Sequence, residues 1–259
     1  GSTVPSAIGT EQLNTFVERG GNFIDTADSY ASGRSEQTIG TWMRIRGQRD
    51  HLVVATRVGK HPDAEGLSAR ALVQGVDASL ARLQTDHIDL LYFDAEDASV
   101  ALEESLGAAG QLIAQGKVRY LAASNFSATA LVEARILAAG GLPRFEVAAL
   151  EYSLMTRGLL EGELAMVAQA QQISVVPCAN VTHDAIGRRS GRILSELDDI
   201  AMSHGVDVST VALAWVLGRP GVTAATVDGA SVSDLEALMH AASVHLTGPQ
   251  ERALTNVSH

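Results

Sequence analysis

The strongest constraint on the fold of this chain is a repeated alternation of two sequence patterns. Short apolar runs are each followed by a longer segment whose apolar residues recur three and four apart. The runs are NFIDTA (22–27), LVVATRV (52–58), IDLLYFD (88–94), VRYLAAS (118–124), VAALEYS (147–153), ISVVPCA (173–179) and VTAATVDG (222–229). Each is apolar on both faces, as parallel strands covered on both sides are. The segments between them include SARALVQGVDASLARLQ, SATALVEARILAAGG and VSTVALAWVLGRPG. Several start on Ser or Asp and end at Gly, as capped helices do. Such alternation predicts βαβ units. Seven units behind a leading helix, EQLNTFVERGG, nearly complete an α/β (β/α)8 TIM barrel. No linker, charge block or low-complexity stretch divides the chain, so residues 1–259 are expected to form a single barrel domain. A first strand is not evident. It lies upstream of the sequence given, or the barrel closes unusually.

The rest of the composition narrows the function. With 46% hydrophobic residues in 259, there is enough apolar material for one large core. A net charge of −11 disfavours nucleic acid and anionic membrane as partners. No apolar run reaches the roughly 18 residues of a membrane helix. The single cysteine, Cys178, excludes internal disulfides and fits a reducing compartment, so a cytoplasmic location is expected. No His/Cys/acid spacing suggests a metal, and GKHPDAEG lacks the phosphate-loop pattern. The expected partner is a small-molecule substrate; oligomeric state is left open.

In a barrel of this kind chemistry sits at the C-terminal ends of the strands. Those ends carry Asp25 to Tyr30, Arg57, Asp94, Ser124 and Asn125, Glu151 and Tyr152, Cys178 to Asp184, and Asp228. Polar residues there also cap the helices that follow. The plain reading of Asp94 is a cap for a helix beginning near Asp97.

The stretch GGNFIDTADSYASGRSEQTIGTWM resembles the aldo-keto reductase signature. LARLQTDHIDLLYFDAED, GKVRYLAASNFS, EYSLMTR and VALAWVLGRPGVTAATVDGA continue the resemblance in order along nearly the whole chain. It implies a (β/α)8 barrel that reduces carbonyls with NADPH and without a metal. Of the family's catalytic Asp, Tyr, Lys and His, the first two match Asp25 and Tyr30. The Lys position holds Arg57 and the His position Asp94. Ser124 and Asn125 match the residues that hold the nicotinamide carboxamide. The glutamine position holds Ala149, the position of the aromatic that stacks on nicotinamide holds Cys178, and the phosphate-binding arginine position holds Ser231.

These differences shape the functional expectation. An ionised Asp94 would repel the oxyanion that hydride transfer creates. The same carboxylate facing a Tyr30–Arg57 pair suits a general base opposite an acid and an oxyanion stabiliser. The expected activity is therefore redox-neutral: a lyase or dehydratase, cyclase or isomerase acting on a carbonyl-containing metabolite, with no cofactor. An NADPH-dependent carbonyl reductase is the alternative, and a non-catalytic binding barrel the second alternative. Asp25, Tyr30, Arg57 and Asp94 are expected to converge on one pocket, with Arg57 between Asp25 and Tyr30. Ser124, Asn125, Tyr152, Cys178 and His183 are expected to line it. His87, in the TDHIDL turn, reads as structural.

Overall fold

The computed structural model describes residues 6–182, 186 and 190–258. They group into two compact units. One runs to Ala148 and includes Ala170–Ile173; the other holds Ala149–Gln169 and the chain from Ser174 onward.

The first unit opens with helix α1 (Ser6–Glu18) and then alternates strand and helix: β1 (Phe23–Asp25), α2 (Arg34–Arg46), β2 (Val53–Val58), α3 (Ala69–Leu83), β3 (Ile88–Phe93), α4 (Leu102–Ala114), β4 (Val118–Ser124), α5 (Ala128–Ala139) and β5 (Phe145–Ala149). The strands neighbour one another in chain order, and β1 through β4 pair in parallel. In register, Arg57 stands opposite Tyr92 and Val58 opposite Phe93, so β2 and β3 end side by side. All six β3 residues are buried, which accounts for the unbroken apolar run in the sequence.

The helix signals are local and hold. Ser68 and Ser127 accept hydrogen bonds from Ala71 N–H and Ala130 N–H, capping α3 and α5 as their sequences predict. Helices α2 and α3 approach very closely at Gly40. A Cβ there would come within 2.5 Å of the Arg82 carbonyl oxygen and the Leu83 backbone.

Helix α6 (Glu163–Gln171), which belongs to the second unit up to Gln169, precedes β6 (Ser174–Val175), followed by helices α7 (Gly191–His204), α8 (Val208–Leu217), α9 (Val232–His240) and α10 (Gly248–Val257). The strands expected over 173–179 and 222–229 are shorter than their apolar runs. The first shortens to β6, and the second makes only isolated parallel bridges, Val222 with Val175 and Thr226 with Cys178. Pro177, lacking an N–H, cannot donate to a ladder in this stretch. The core of the unit centres on Trp215, stacked on Tyr152 at 5.7 Å between ring centroids. Arg157 and Arg219 both set their guanidinium groups over the Trp215 ring.

No single helix among the described residues is long and apolar enough to cross a membrane.

Candidate active site

The C-terminal ends of β1 to β4 hold a continuous polar chain inside the first unit. Arg57 Nη2 lies 2.5 Å from Asp25 Oδ2, with the two side chains 5% and 10% exposed. Its Nη1 donates to Ser124 Oγ at 2.8 Å. The Ser124 hydroxyl donates to Asp94 Oδ1 at 3.2 Å, and Asn125 Nδ2 donates to Ser124 Oγ at 3.3 Å. The guanidinium also lies over the Tyr92 ring, 4.6 Å from its centroid. A planar fork suits this position because it serves a carboxylate, a hydroxyl and an aromatic face together.

The chain leaves each of these strands by a backbone turn that few residues adopt. Ala31 and Ser32, just past Tyr30, have φ of 50° and 56°. Gly59 follows Arg57 by two residues with φ of 111°, Ala95 follows Asp94 with 126°, and Asn125 follows Ser124 with 57°. Left-handed non-glycine residues cost on the order of 1–3 kcal/mol each and persist where surrounding structure fixes them. Here they turn the chain sharply away while the preceding side chains stay at the strand ends. Backbone bonds fix the first turn: Asp28 N–H donates to the Arg57 carbonyl and Tyr30 N–H to Ala27. Tyr30 is half-buried on it.

Asp94 is not a helix cap. Helix α4 starts at Leu102, with Ala101 in the cap position. The loop's cap-like carboxylate is Asp97, which accepts from Leu67 N–H and Ser99 N–H. Asp94, 9% exposed at its side chain, instead pairs with Lys60 Nζ at 3.2 Å, whose own side chain is 50% exposed.

Sequence reasoning passed over Lys60 and Asp28. The available signal for Lys60 was rarity, since it and Lys117 are the only lysines. Asp28 sits inside the DTADSY motif, is 1% exposed, and neither of its oxygens makes a well-formed hydrogen bond. Burial and then the Glu36 carboxylate push its pKa up to about 6, against weaker pulls from His61, Arg82 and the Gly59 amide. Glu36 is itself buried, taking hydrogen bonds from Thr56 Oγ1 and Arg82 Nε at 2.6 Å each.

In the second unit Tyr152 is buried, with its hydroxyl donating to Glu161 at 2.6 Å. Burial and that carboxylate hold its phenol above the usual range. Cys178 is partly exposed, and its N–H donates to the Leu150 carbonyl. Ser231 caps α9, its Oγ accepting from Asp234 N–H. His183 lies outside the described residues. His87 bonds Asp86 at 2.6 Å and lies 3.6 Å from Asp89, at the start of β3 rather than its end.

The Aldo/keto reductase family model matches residues 4–258. An aryl-alcohol dehydrogenase of Pestalotiopsis microspora is 31% identical over 266 residues, covering 92% of this chain and 69% of that protein. Norsolorinic acid reductase B of Aspergillus parasiticus is 31% identical over 278 residues, covering 94% and 72%. A solved aldo/keto reductase from Klebsiella pneumoniae, in complex with NADP and acetate, superposes with a TM-score of 0.86 at 27% identity, covering 99% of this chain and 87% of the other. A thermostable aldo-keto reductase bound to the inhibitor epalrestat gives 0.87 at 25% identity, covering 99% and 89%. The fold class is the (β/α)8 class of these neighbours, as the alternation predicts.

Two expectations are overturned. Redox-neutral lyase, cyclase or isomerase chemistry gives way because the relatives are named as reductases and a dehydrogenase. The expectation of no cofactor falls with it, given a neighbour in complex with NADP. Both rested on joint departures from the family's pattern, at Arg57, Asp94, Ala149, Cys178 and Ser231. The objection to hydride chemistry was an ionised Asp94, yet Lys60 balances that charge. The objection to nucleotide binding was Ser231 in place of a cation together with Cys178 in place of a stacking aromatic; the N–H groups at a helix start attract phosphate without a cation.

Proposed function

The chain belongs to the aldo/keto reductase family, and on that premise we propose that it is an enzyme that reduces the carbonyl group of a small molecule with NADPH. The observation that carries the reading is the buried Asp25–Arg57–Ser124–Asp94 chain at the strand ends, with the Tyr30 phenol on the adjoining turn.

The residues fit the cofactor at its nicotinamide end. Asn125 is exposed and uses one amide proton on Ser124, which leaves its carboxamide oxygen and second proton for a ligand amide. NADPH, when bound, supplies the hydride that adds to the carbonyl carbon. Tyr30 donates its phenolic proton to the carbonyl oxygen. Arg57 cannot supply that proton, because a guanidinium stays protonated in proteins. Its part is fixed positive charge that favours the phenolate left behind. Asp25 holds the guanidinium in place, and Ser124 spaces it from Asp94.

The test is titration of the protein with NADPH, followed by fluorescence, and then addition of 4-nitrobenzaldehyde while NADPH absorbance is followed. Saturable binding and aldehyde-dependent loss of absorbance are expected. A protein that shows no saturable binding is not this enzyme.

A further inference from the structure

Asp94 places a second carboxylate in the polar chain at the strand ends. The polar chain contains two acids, Asp25 and Asp94, and one buried base, Arg57. Arg57 is committed at 2.5 Å to Asp25, and Ser124 separates it from Asp94. Without another cation this cluster would carry a net negative charge at the end of the strands from which the Tyr30 turn leaves. That charge would raise the phenol pKa and oppose an oxyanion.

Lys60 supplies the missing charge. Its position follows from the backbone. Asp94 N–H donates to the Val58 carbonyl, tying the end of β3 to the end of β2. Gly59, at φ of 111°, then turns the chain back so that Lys60 Nζ reaches Asp94 Oδ2 at 3.2 Å. The other Asp94 oxygen accepts from Ser124, so the carboxylate is bonded on both sides.

We infer that Lys60 is a positioning residue for the reaction: paired with Asp94 it makes the cluster neutral, and that neutrality lets Tyr30 act as the acid. The inference rests on the carbonyl-reductase reading for its catalytic consequence, but its electrostatic content can be measured without substrate. Lys60 is half in water, so its field is partly screened. The expected effect is about one pKa step on the phenol, or about tenfold in rate.

The test uses Lys60→Met, Asp94→Asn and the double variant, each with and without Tyr30→Phe. The Tyr30 pKa is the phenolate absorbance difference between paired proteins in a pH titration. Lys60→Met should raise that pKa by about one unit, and adding Asp94→Asn should return it towards wild type. In parallel, kcat for 4-nitrobenzaldehyde should fall about tenfold in Lys60→Met with KM for NADPH little changed, and should recover in the double variant. An unchanged Tyr30 pKa in Lys60→Met, or no recovery of it in the double variant, overturns the inference. Loss of NADPH binding by the wild type would count against the reductase reading alone, since the phenol titration still decides the charge assignment.

Discussion

The Arg57 guanidinium lies 2.5 Å from the Asp25 carboxylate, and both side chains are nearly sealed from water. A buried pair contributes modestly as a pair, but removing one partner strands the other. Arg57→Met should therefore destabilise the protein by about 3–5 kcal/mol, and Arg57→Lys by less, because an ammonium still neutralises Asp25. Chemical denaturation of the three proteins checks this. Equal midpoints for wild type and Arg57→Met would contradict the assignment.

Tyr30→Phe removes the phenolic proton and keeps the ring on a turn held by backbone bonds. Aldehyde reduction should fall by a factor of about 10² or more, while NADPH affinity stays within about twofold. A variant that keeps full activity would move the acid to another residue.

Asp28 gives a pH signature. Its folded-state pKa of about 6 stands above the ordinary 3.8, so the folded protein holds this proton more tightly than the unfolded chain. For a carboxyl shifted upward, stability is unaffected below pH 3.8, declines between 3.8 and 6, and carries the full penalty above 6. Asp28→Asn removes the charge and should stabilise the protein above pH 6 by on the order of 2 kcal/mol, with little effect near pH 4. Melting temperatures of the two proteins across that range should diverge as pH rises. A constant offset would mean that Asp28 does not titrate there.

Gly40→Ala should destabilise by about 1–3 kcal/mol, because the added carbon meets Arg82 and Leu83 backbone that cannot rotate away. Gly47→Ala is the control. Gly47 caps α2 at φ of 63° with open space around it, so its cost is conformational only, about 1 kcal/mol. Thermal melts of both variants separate crowding from strain; equal losses would argue against close packing at Gly40.

Much of this architecture was legible along the chain. The apolar runs marked β1 to β4, because strands buried on both faces admit few polar residues. The Ser68 and Ser127 caps marked helix starts, because a cap acts over three residues of local sequence. Motif order marked the family and the four strand-end residues. The runs over 173–179 and 222–229 were less informative. Hydrophobicity reports burial, whereas a ladder also needs aligned N–H donors, and Pro177 has none.

The sequence by itself determined which residues stand at the strand ends, since strand period and motif spacing are local properties. Only the tertiary structure decided what those residues are to one another. Asp94 looked like an uncompensated base because its partner, Lys60, belongs to a different strand's turn. Ser124 joins Arg57 to Asp94 across 67 and 30 residues of chain. The charge of a site is a sum over neighbours in space, and neighbours brought together by parallel strands are far apart in sequence.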